Sequence, residues 1–201
     1  MLNCAEFNDP HMRKIAMELQ ANAALIIIDQ QKGILQPRLG RRNNPQAEER
    51  IVDLLGFWRR SGRPVIHVQH LSREPDSVFW PEQEGVEFQQ RFLPQDAEWL
   101  IQKQVPDAFC ASGLAARLRE AGVGQLVIVG VATNNSVEST ARSAGNLGFD
   151  TWVAEDACFT FDKADYFGTL RTAEEVHGMS LGNLQGEYAT VVSAAQIVAA
   201  G

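Results

Sequence analysis

Residues 23–29 read Ala-Ala-Leu-Ile-Ile-Ile-Asp, an unbroken apolar run that stops at a carboxylate. A strand that is covered by helices on both faces is apolar at every position, so this run predicts a central strand of a parallel sheet. Similar short apolar runs follow at residues 64–68, 126–129, 151–154 and 189–192. Each of them has the length of a buried parallel strand.

The segments between these runs have the apolar spacing of helices that pack on a sheet. The apolar positions are Ile51, Leu54, Leu55 and Trp58 in one segment and Leu114, Leu118 and Ala121 in another. Gly62 and Gly122 follow them, as glycine commonly does after the last turn of a helix. Strands and helices alternate with short connections, which implies right-handed crossovers. We therefore predict an α/β fold, a doubly wound and mostly parallel sheet with helices on both faces.

No segment of the 201 residues has the composition of a linker, so we expect a single domain over residues 1–201, with residues 1–20 as an N-terminal extension or helix. The net charge of -7 disfavours binding to nucleic acid and to anionic membranes. Cys4, Cys110 and Cys158 are too few and too scattered for a disulfide framework, and we expect Cys110 and Cys158 to be buried structural thiols. These features predict a cytoplasmic protein that has no membrane span.

Ligands of doubly wound sheets bind outside the carboxyl ends of the strands, where loops from neighbouring strands converge. Asp29 directly follows the first predicted strand. Partial burial there would raise the pKa of its carboxyl group towards that of a useful base, which makes Asp29 a candidate catalytic residue. The alternative is that this aspartate only has a capping role.

Lys103 and Ser136 are the other candidates for this edge of the sheet. Lys103 lies in the strand-like segment Trp99-Leu-Ile-Gln-Lys. It either reaches the surface past its apolar neighbours or pairs with a buried carboxylate and stabilises charge on a substrate. Ser136 follows a strand and a tight turn at the start of a helix. It either caps that helix or lies beside backbone N–H groups that stabilise an oxyanion.

Taken together, these segments resemble the isochorismatase-like hydrolases, also called the cysteine hydrolase family, over most of the chain. The matching pieces are Ile28-Asp29-Gln30-Gln31, Pro64-Val-Ile-His-Val-Gln-His, Lys103 with Ala108-Phe109, Gly130-Val-Ala-Thr-Asn-Asn-Ser-Val-Glu-Ser-Thr-Ala-Arg, and Asp156-Ala157. Their order and spacing together are specific to the family. The resemblance implies a Rossmann-like three-layer sandwich.

The resemblance also implies a catalytic triad of Asp, Lys and Cys. Asp29 falls on the acid/base position, Lys103 on the lysine, and Ser136 on the nucleophilic cysteine. The family further implies a cis peptide bond between Val131 and Ala132, which turns backbone N–H groups of this loop towards an oxyanion.

Ser136 departs from the family pattern. A cysteine with an ordinary pKa of about 8.5 needs only modest help to become a thiolate. A serine hydroxyl needs a stronger base, which known serine hydrolases supply as a histidine. Three explanations are open: a naturally serine-bearing branch with its own chemistry, an engineered cysteine-to-serine change, or a protein that binds without turnover.

Five further residues are candidates for substrate binding: Gln31, His70, Trp80, Phe109 and Asn135. His67 and His70 are three residues apart on a strand and face opposite sides, which makes joint ligation of a metal awkward. The chain also lacks the aspartate of the Asp-x-His pattern that nicotinamidases of this family have. We therefore expect no metal, and we expect His67 to be a satisfied core residue. Neither GxGxxG nor GxxxxGK[ST] occurs, so no cofactor is expected.

We expect a hydrolase of a small amide, carbamoyl or related C–N substrate, in which Ser136 attacks the carbonyl, Asp29 carries the proton and Lys103 stabilises charge. Two alternatives stay open. One is a non-catalytic ligand-binding homologue, and the other is a metal-free isochorismatase-type enol-ether hydrolase that depends mostly on Asp29. The expected partner is a small-molecule substrate, and the family resemblance implies a homodimer or homotetramer. The irregular segment 71–98 is expected to form a lid or an oligomer contact.

Overall fold

The computed structural model describes residues 17–201, and a six-stranded sheet forms its centre. Its strands are β1 (Ala24–Ile28), β2 (Val65–His70), β3 (Trp99–Lys103), β4 (Gln125–Val131), β5 (Asp150–Phe159) and β8 (Thr190–Val192). Two further strands, β6 (Lys163–Ala164) and β7 (Leu170–Arg171), form a separate antiparallel hairpin between β5 and β8 in the chain. The order across the sheet is β3-β2-β1-β4-β5-β8, and every neighbouring pair is parallel.

Within the described residues, α-helices cover both faces of this sheet. They are α1 (Ala47–Ser61), α2 (Leu114–Glu120), α3 (Glu138–Asn146), α4 (Ala173–Leu184) and α5 (Ala194–Ala199). Gly62 ends α1 as expected, because its left-handed φ of 68° lets its N–H donate back to the last turn. A capping box of Thr172 and Glu175 begins α4.

Alternate residues of β1 face opposite sides of the sheet and belong to two separate hydrophobic cores. Ala24, Ile26 and Ile28 pack on the face that α2, α3 and α4 cover. Leu25 and Ile27 pack on the face that α1 and α5 cover. Full burial of a large aliphatic side chain is worth about 1.5–3 kcal/mol, so β1 stabilises both layers. The structure confirms the predicted doubly wound sheet with helices on both faces.

The order of the strands places a topological switch point beside β1. The chain runs from β1 to β2 and β3 on one side of the sheet, and it then crosses to β4, β5 and β8 on the other side. The carboxyl ends of β1 and β4 therefore flank the crevice in which open parallel sheets bind ligands. Asp29 follows β1 and Ser136 follows β4, so both lie at this crevice.

The apolar patterns do not predict α4, α5 or the hairpin of β6 and β7. The hairpin strands have two residues each, which is too short for a periodic signal. β5 is longer than the predicted residues 151–154, and its pairing with β4 is irregular between Ile128 and Gly130. Asn44 Nδ2 donates to the backbone carbonyls of Glu155 and Cys158 of β5, at 2.9 and 2.7 Å, and so satisfies backbone groups of the irregular strand.

The predicted extension or helix over residues 1–20 lies mostly outside the described residues. Residues 17–20 have irregular backbone, and Leu19 packs in the core beneath α1 and α5. Of the helices in the described part of the chain, none combines the length and apolar character that crossing a membrane requires.

Candidate active site

The side chains of Asp29, Lys103 and Ser136 meet at the carboxyl edge of the sheet. Lys103 Nζ donates to Asp29 Oδ2 at 2.7 Å and to Ser136 Oγ at 3.1 Å. The three residues are 2%, 3% and 5% exposed, so the contact is almost dry. The structure thus brings together the three residues that the sequence singles out, and it excludes the surface position considered for Lys103.

Asp29 leaves β1 in a left-handed conformation with φ 51°. Its N–H donates to the Val68 carbonyl at 3.0 Å, and its own carbonyl accepts from Gln31 N–H at 2.8 Å, which makes a sharp turn directly after the strand. Aspartate tolerates a left-handed backbone better than most residues other than glycine. The chain therefore turns at the same residue whose carboxylate binds Lys103.

Lys103 ends β3, where it pairs in register with His70 of β2. Besides Asp29 and Ser136, its Nζ contacts His70 Nδ1 at 3.1 Å. A protonated lysine has three N–H donors and no acceptor, so these three contacts use all of them. His70 must then accept at Nδ1 and hold its proton on Nε2. Burial and the positive charge of Lys103 lower the pKa of His70 to about 4, which keeps the ring neutral near pH 7.

The carboxyl group of Asp29 has a raised pKa. Burial is the largest cause, and it outweighs the opposing effects of the Lys103 charge, of the hydrogen bond from Lys103 and of the nearby Ser136 hydroxyl. Asp29 Oδ2 is held by Lys103, whereas Oδ1 is buried and has no hydrogen-bond partner within residues 17–201. One carboxylate oxygen therefore remains available as a proton acceptor.

Ser136 lies in a turn of π-helix (Thr133–Val137) that joins β4 to α3. The turn begins after a cis peptide bond between Val131 and Ala132, at the position that the family resemblance implies. The Ala132 carbonyl accepts from Asn135 N–H at 3.0 Å and from Val137 N–H at 3.2 Å. These bonds close the turn on both sides of Ser136 and fix its backbone.

Helix α4 supports the turn from behind, and nothing in the sequence pattern indicated this role. His177 Nδ1 lies 2.8 Å from Thr133 Oγ1. Ser180 Oγ is within hydrogen-bond distance of both the Thr133 carbonyl, at 3.0 Å, and Glu138 Oε2, at 2.7 Å. The start of the turn is therefore tied to a helix that lies about forty residues later in the chain.

A cavity of about 430 Å³ opens onto Asp29 and Ser136. Its walls are Asp29, Arg38, Leu39, His70, Asp76, Ser77, Val78, Phe79, Asn135 and Ser136. Small-molecule sites usually have volumes of about 300–1,000 Å³ and a few convergent polar groups, and this cavity fits that description. A larger cavity of about 850 Å³ lies between α4 and the β6–β7 hairpin, but it contains none of Asp29, Lys103 and Ser136.

Residues 23–196 match the family described as the isochorismatase domain. The chain belongs to the isochorismatase family. The Bacillus subtilis isochorismatase family protein YrdC is 37% identical over 180 residues, which are 90% of this chain and 96% of that protein. A crystal structure of an isochorismatase-family protein from Chromobacterium violaceum is 49% identical with a TM-score of 0.87, over 90% of this chain and 94% of that chain.

Nicotinamidase 3 of Arabidopsis thaliana is a more distant relative. It is 26% identical over 183 residues, which are 85% of this chain and 84% of that protein. Together with the matched domain, these relatives identify the chain as a hydrolase of the isochorismatase family.

Two of the five further substrate-binding candidates, His70 and Asn135, line the cavity of this isochorismatase-family chain. Gln31, Trp80 and Phe109 do not. Gln31 is buried, and its amide donates to the carbonyls of His70 and Val86 and accepts from His70 N–H, at 2.8–2.9 Å. It therefore links β2 to the irregular segment 71–98 and does not line the cavity.

The two aromatic candidates, Phe109 and Trp80, lie outside the cavity for different reasons. Phe109 stacks on Phe149 with ring centroids 5.9 Å apart and packs against the core under α2 and α3. Trp80 lies in a backbone turn in which its N–H donates to Ser77 and its carbonyl accepts from Gln83. The neighbouring Phe79 lines the cavity instead, next to His70 at 5.6 Å between ring centroids.

The cavity walls of the isochorismatase-family site also come from two irregular segments that periodicity cannot place. Arg38 and Leu39 belong to a 3-10 turn (Pro37–Leu39), and Val78 belongs to the segment predicted as a lid. A Cβ atom at either Gly33 or Gly85 would overlap with the Val78 carbonyl oxygen, so both glycines let the backbones meet there.

His67 is buried on the opposite face of β2 from His70, as expected, but it is not fully satisfied, because its Nδ1 is buried and has no hydrogen-bond partner within residues 17–201. Its Nε2 lies 2.8 Å from Glu98 Oε2, and Glu98 also accepts from Arg59 Nε at 2.6 Å. Burial lowers the pKa of His67, so the neutral ring donates its Nε2–H to Glu98. No group of three or more His, Cys, Asp and Glu side chains within residues 17–201 is arranged to hold a metal ion.

Of the two cysteines expected to be buried, only Cys158 is. Burial raises the pKa of its thiol to about 12. Cys110 is exposed, so that expectation was wrong. Its N–H donates to the Asp107 carbonyl in a surface turn that precedes α2, and this turn keeps its side chain outside the core.

Proposed function

We propose that this isochorismatase-family hydrolase cleaves a C–N bond in a small amide, carbamoyl or related substrate. Ser136 occupies the nucleophile position, Asp29 carries the proton, and Lys103 stabilises charge. The observation that carries the proposal is the contact of Lys103 Nζ with both Asp29 Oδ2 (2.7 Å) and Ser136 Oγ (3.1 Å) at the floor of the 430 Å³ cavity.

The hydrogen-bond directions support Ser136 as a nucleophile. Lys103 donates to Ser136 Oγ, so the hydroxyl proton of Ser136 is left for another acceptor. Asp29 Oδ1 has no partner within residues 17–201, and the pKa of Asp29 is raised. A carboxylate with a raised pKa is a stronger base than a free one, which suits removal of a hydroxyl proton.

In the proposed reaction, Ser136 Oγ attacks the substrate carbonyl carbon while its proton passes to Asp29. Backbone N–H groups near Ala132 and Ser136 stabilise the oxyanion. Collapse of the tetrahedral intermediate breaks the C–N bond, and Asp29 returns the proton to the departing nitrogen. Water then attacks the acyl ester, gives one proton to Asp29, and releases the acid as the proton goes back to Ser136 Oγ.

The positive charge of Lys103 has a second function in this scheme. Its three N–H donors are used by Asp29, His70 and Ser136, so it acts on the substrate through its field rather than through a direct hydrogen bond. In a nearly dry site such a field is weakly screened. The relationship to a nicotinamidase supports an amide as the substrate type.

The test is ammonia release from a panel of small amides and ureido acids, with the wild type, Ser136→Ala, Ser136→Cys and Asp29→Asn compared in parallel. Ser139→Ala is the matched control, because Ser139 lies one turn later, in α3, and does not line the cavity. We expect Ser136→Ala and Asp29→Asn to lose more than about 1,000-fold in kcat, as loss of a nucleophile or its base does elsewhere. Ser139→Ala should retain full activity.

Other outcomes identify the two alternatives. Ammonia release that survives in Ser136→Ala but not in Asp29→Asn contradicts nucleophilic catalysis by Ser136. Cleavage of an enol ether without ammonia release, retained in Ser136→Ala and lost in Asp29→Asn, would identify the enol-ether hydrolase. Activity found only in Ser136→Cys shows that the serine marks a site that binds without turnover. A covalent adduct on Ser136, trapped from the wild type and detected by mass spectrometry, would exclude both.

A further inference from the structure

Arg38 is an exposed residue in a short turn at the wall of the cavity that contains Asp29 and Ser136. Its 3-10 turn (Pro37–Leu39) is closed by Leu39 N–H donating to the Gln36 carbonyl and by Gly40 N–H donating to the Pro37 carbonyl, at 3.1 and 3.0 Å. The turn presents Arg38 in the cavity wall. The backbone of Arg38 is thus held by the turn and not by the sheet.

The guanidinium of Arg38 is oriented by neutral partners. Its Nε donates to Gln36 Oε1 at 2.9 Å, and its Nη1 donates to the Asp76 backbone carbonyl at 2.7 Å. Arginine has five N–H donors, so three remain, including both on Nη2. These contacts fix the plane of the guanidinium without neutralising its charge.

The next two arginines along the chain, unlike Arg38, form ion pairs. Arg41 binds the carboxylates of Asp162 and Glu174, and Arg42 binds Glu48. Arg38 forms no ion pair with any carboxylate within residues 17–201, although it is the one of these three that lines the cavity. An oriented, uncompensated guanidinium in a ligand cavity is the arrangement that recognises carboxylates in a bidentate manner.

None of the other charged groups of the cavity forms an ion pair with Arg38. Asp29 is paired with Lys103 at 2.7 Å, and His70 is neutral near pH 7. Asp76 and Arg38 are both exposed and both line the cavity, and it is the backbone carbonyl of Asp76 that binds Arg38. A substrate placed with its carbonyl at Ser136 therefore meets a guanidinium at the cavity wall that has no carboxylate partner.

We propose that Arg38 binds a carboxylate of the substrate, so that the substrate class is a small amide or carbamoyl compound that also has a free carboxylate. This inference rests on the proposed function, because it assigns the far end of the molecule whose C–N bond is cleaved at Ser136. It makes Arg38 a specificity-determining residue that takes no part in bond breaking.

The experiment compares matched pairs of equal size, N-carbamoylglycine with N-carbamoylglycinamide and succinamic acid with succinamide. Kinetics are measured for the wild type, Arg38→Gln and Arg73→Gln. Arg73 is the control because it is exposed, does not line the cavity, and binds Gln104 through its guanidinium. We expect kcat/KM of Arg38→Gln to fall about 10–100-fold on the carboxylates, mostly through KM, and less than about threefold on the neutral amides. Arg73→Gln should behave as the wild type.

Equal kcat/KM for the charged and neutral members of each pair, or an equal loss on both in Arg38→Gln, overturns the inference and leaves the proposed hydrolysis standing. If no compound is hydrolysed, the proposed function fails, and binding of N-carbamoylglycine is measured by calorimetry. Binding that is lost in Arg38→Gln and kept in Arg73→Gln then supports the carboxylate site. Absence of binding, or binding unaffected by Arg38→Gln, overturns it.

Discussion

Lys103 Nζ lies 2.7 Å from Asp29 Oδ2, and both side chains are buried. A buried ion pair adds little net stability because the loss of hydration offsets the attraction between the charges. Removing one partner is nevertheless costly, since it leaves the other charge buried and unpaired. The pair is therefore best explained by the proposed chemistry, and stability and activity are separable by mutation.

We predict that Lys103→Met lowers the free energy of unfolding by about 3–5 kcal/mol, because the Asp29 carboxylate loses its partner. The double variant Asp29→Asn/Lys103→Met should regain most of that stability, since neither charge remains and asparagine tolerates the left-handed backbone at this position. Both variants should be inactive. Urea unfolding at pH 7 and ammonia release measure the two effects, and a single variant as stable as the wild type would contradict the buried-pair argument.

The raised pKa of Asp29 predicts the acid limb of the pH–rate profile. The proposed base is Asp29 in its ionised form, so kcat/KM should be full above the pKa of Asp29 and fall as pH decreases through it. Because burial raises that pKa, the midpoint should lie above the ordinary value of 3.8. The measurement is kcat/KM against pH between pH 3.5 and pH 8, and a midpoint at or below 3.8 would refute the prediction.

His70 is predicted to act as a hydrogen-bond acceptor for Lys103. His70→Asn offers Lys103 another acceptor oxygen, whereas His70→Leu offers none. In His70→Leu one N–H of the Lys103 ammonium has no acceptor, and we expect kcat to fall by about 10–100-fold. In His70→Asn kcat should stay within about fivefold of the wild type. Steady-state kinetics decide the matter, and equal losses in both variants would show that the ring only fills space.

The cluster of His67, Glu98 and Arg59 predicts loss of stability in acid. Burial by itself raises the pKa of Glu98, but Arg59, the Gln95 N–H and His67 outweigh it and lower that pKa to about 2. Glu98 therefore stabilises the fold above its ordinary pKa of 4.5, and this contribution is lost as pH falls from 4.5 towards 2. His67, whose pKa is lowered from 6.5, acts in the same direction, because only the unfolded chain gains its proton readily below pH 6.5.

We expect Glu98→Gln to be less stable than the wild type at pH 7 and to lose less further stability between pH 4.5 and pH 2.5. Thermal unfolding across this range is the measurement. Glu74→Gln is the control, because Glu74 is exposed and its carboxylate forms no ion pair within residues 17–201. Parallel pH curves for the wild type and Glu98→Gln would rule out this role.

Gly85→Ala should disturb the wall of the cavity. The added methyl group overlaps with the Val78 carbonyl oxygen, which must move, and such overpacking typically costs about 1–3 kcal/mol. We expect KM to rise more than kcat falls, because Val78 and Phe79 line the cavity but take no part in the proposed chemistry. Gly178→Ala, in open space on α4, should be neutral or stabilising. A wild-type KM in Gly85→Ala would count against the contact.

The sequence predicts the sheet and the position of the candidate site well, for physical reasons. β1 is buried on both faces, so every residue must be apolar, and the end of that run locates Asp29 at the carboxyl edge. Ser136 follows from the same logic after β4. The contact of Lys103 with His70 is harder to foresee, because it depends on the register between β2 and β3.

The walls of the cavity could not be predicted from periodicity. Arg38 and Phe79 lie in irregular segments whose positions depend on contacts between residues far apart in the chain. Phe109 was a candidate for substrate binding, yet it stacks on Phe149 and packs against the core. Apolar residues in loops fit either environment, and only the tertiary packing distinguishes them.

Some residues of the cavity region are positioned by the sheet and others by loops, and this difference affects how an enzyme with this fold can evolve a new substrate specificity. Asp29 and Lys103 are fixed by hydrogen-bonded strands, whereas residues 37–39 and 76–79 are attached through short turns. Substitutions in those turns alter the shape and charge of the cavity without shifting the strand register. A library randomised at these seven positions should therefore yield many folded proteins with new substrate selectivities. The loop residues of the cavity can then vary while Asp29 and Lys103 stay fixed.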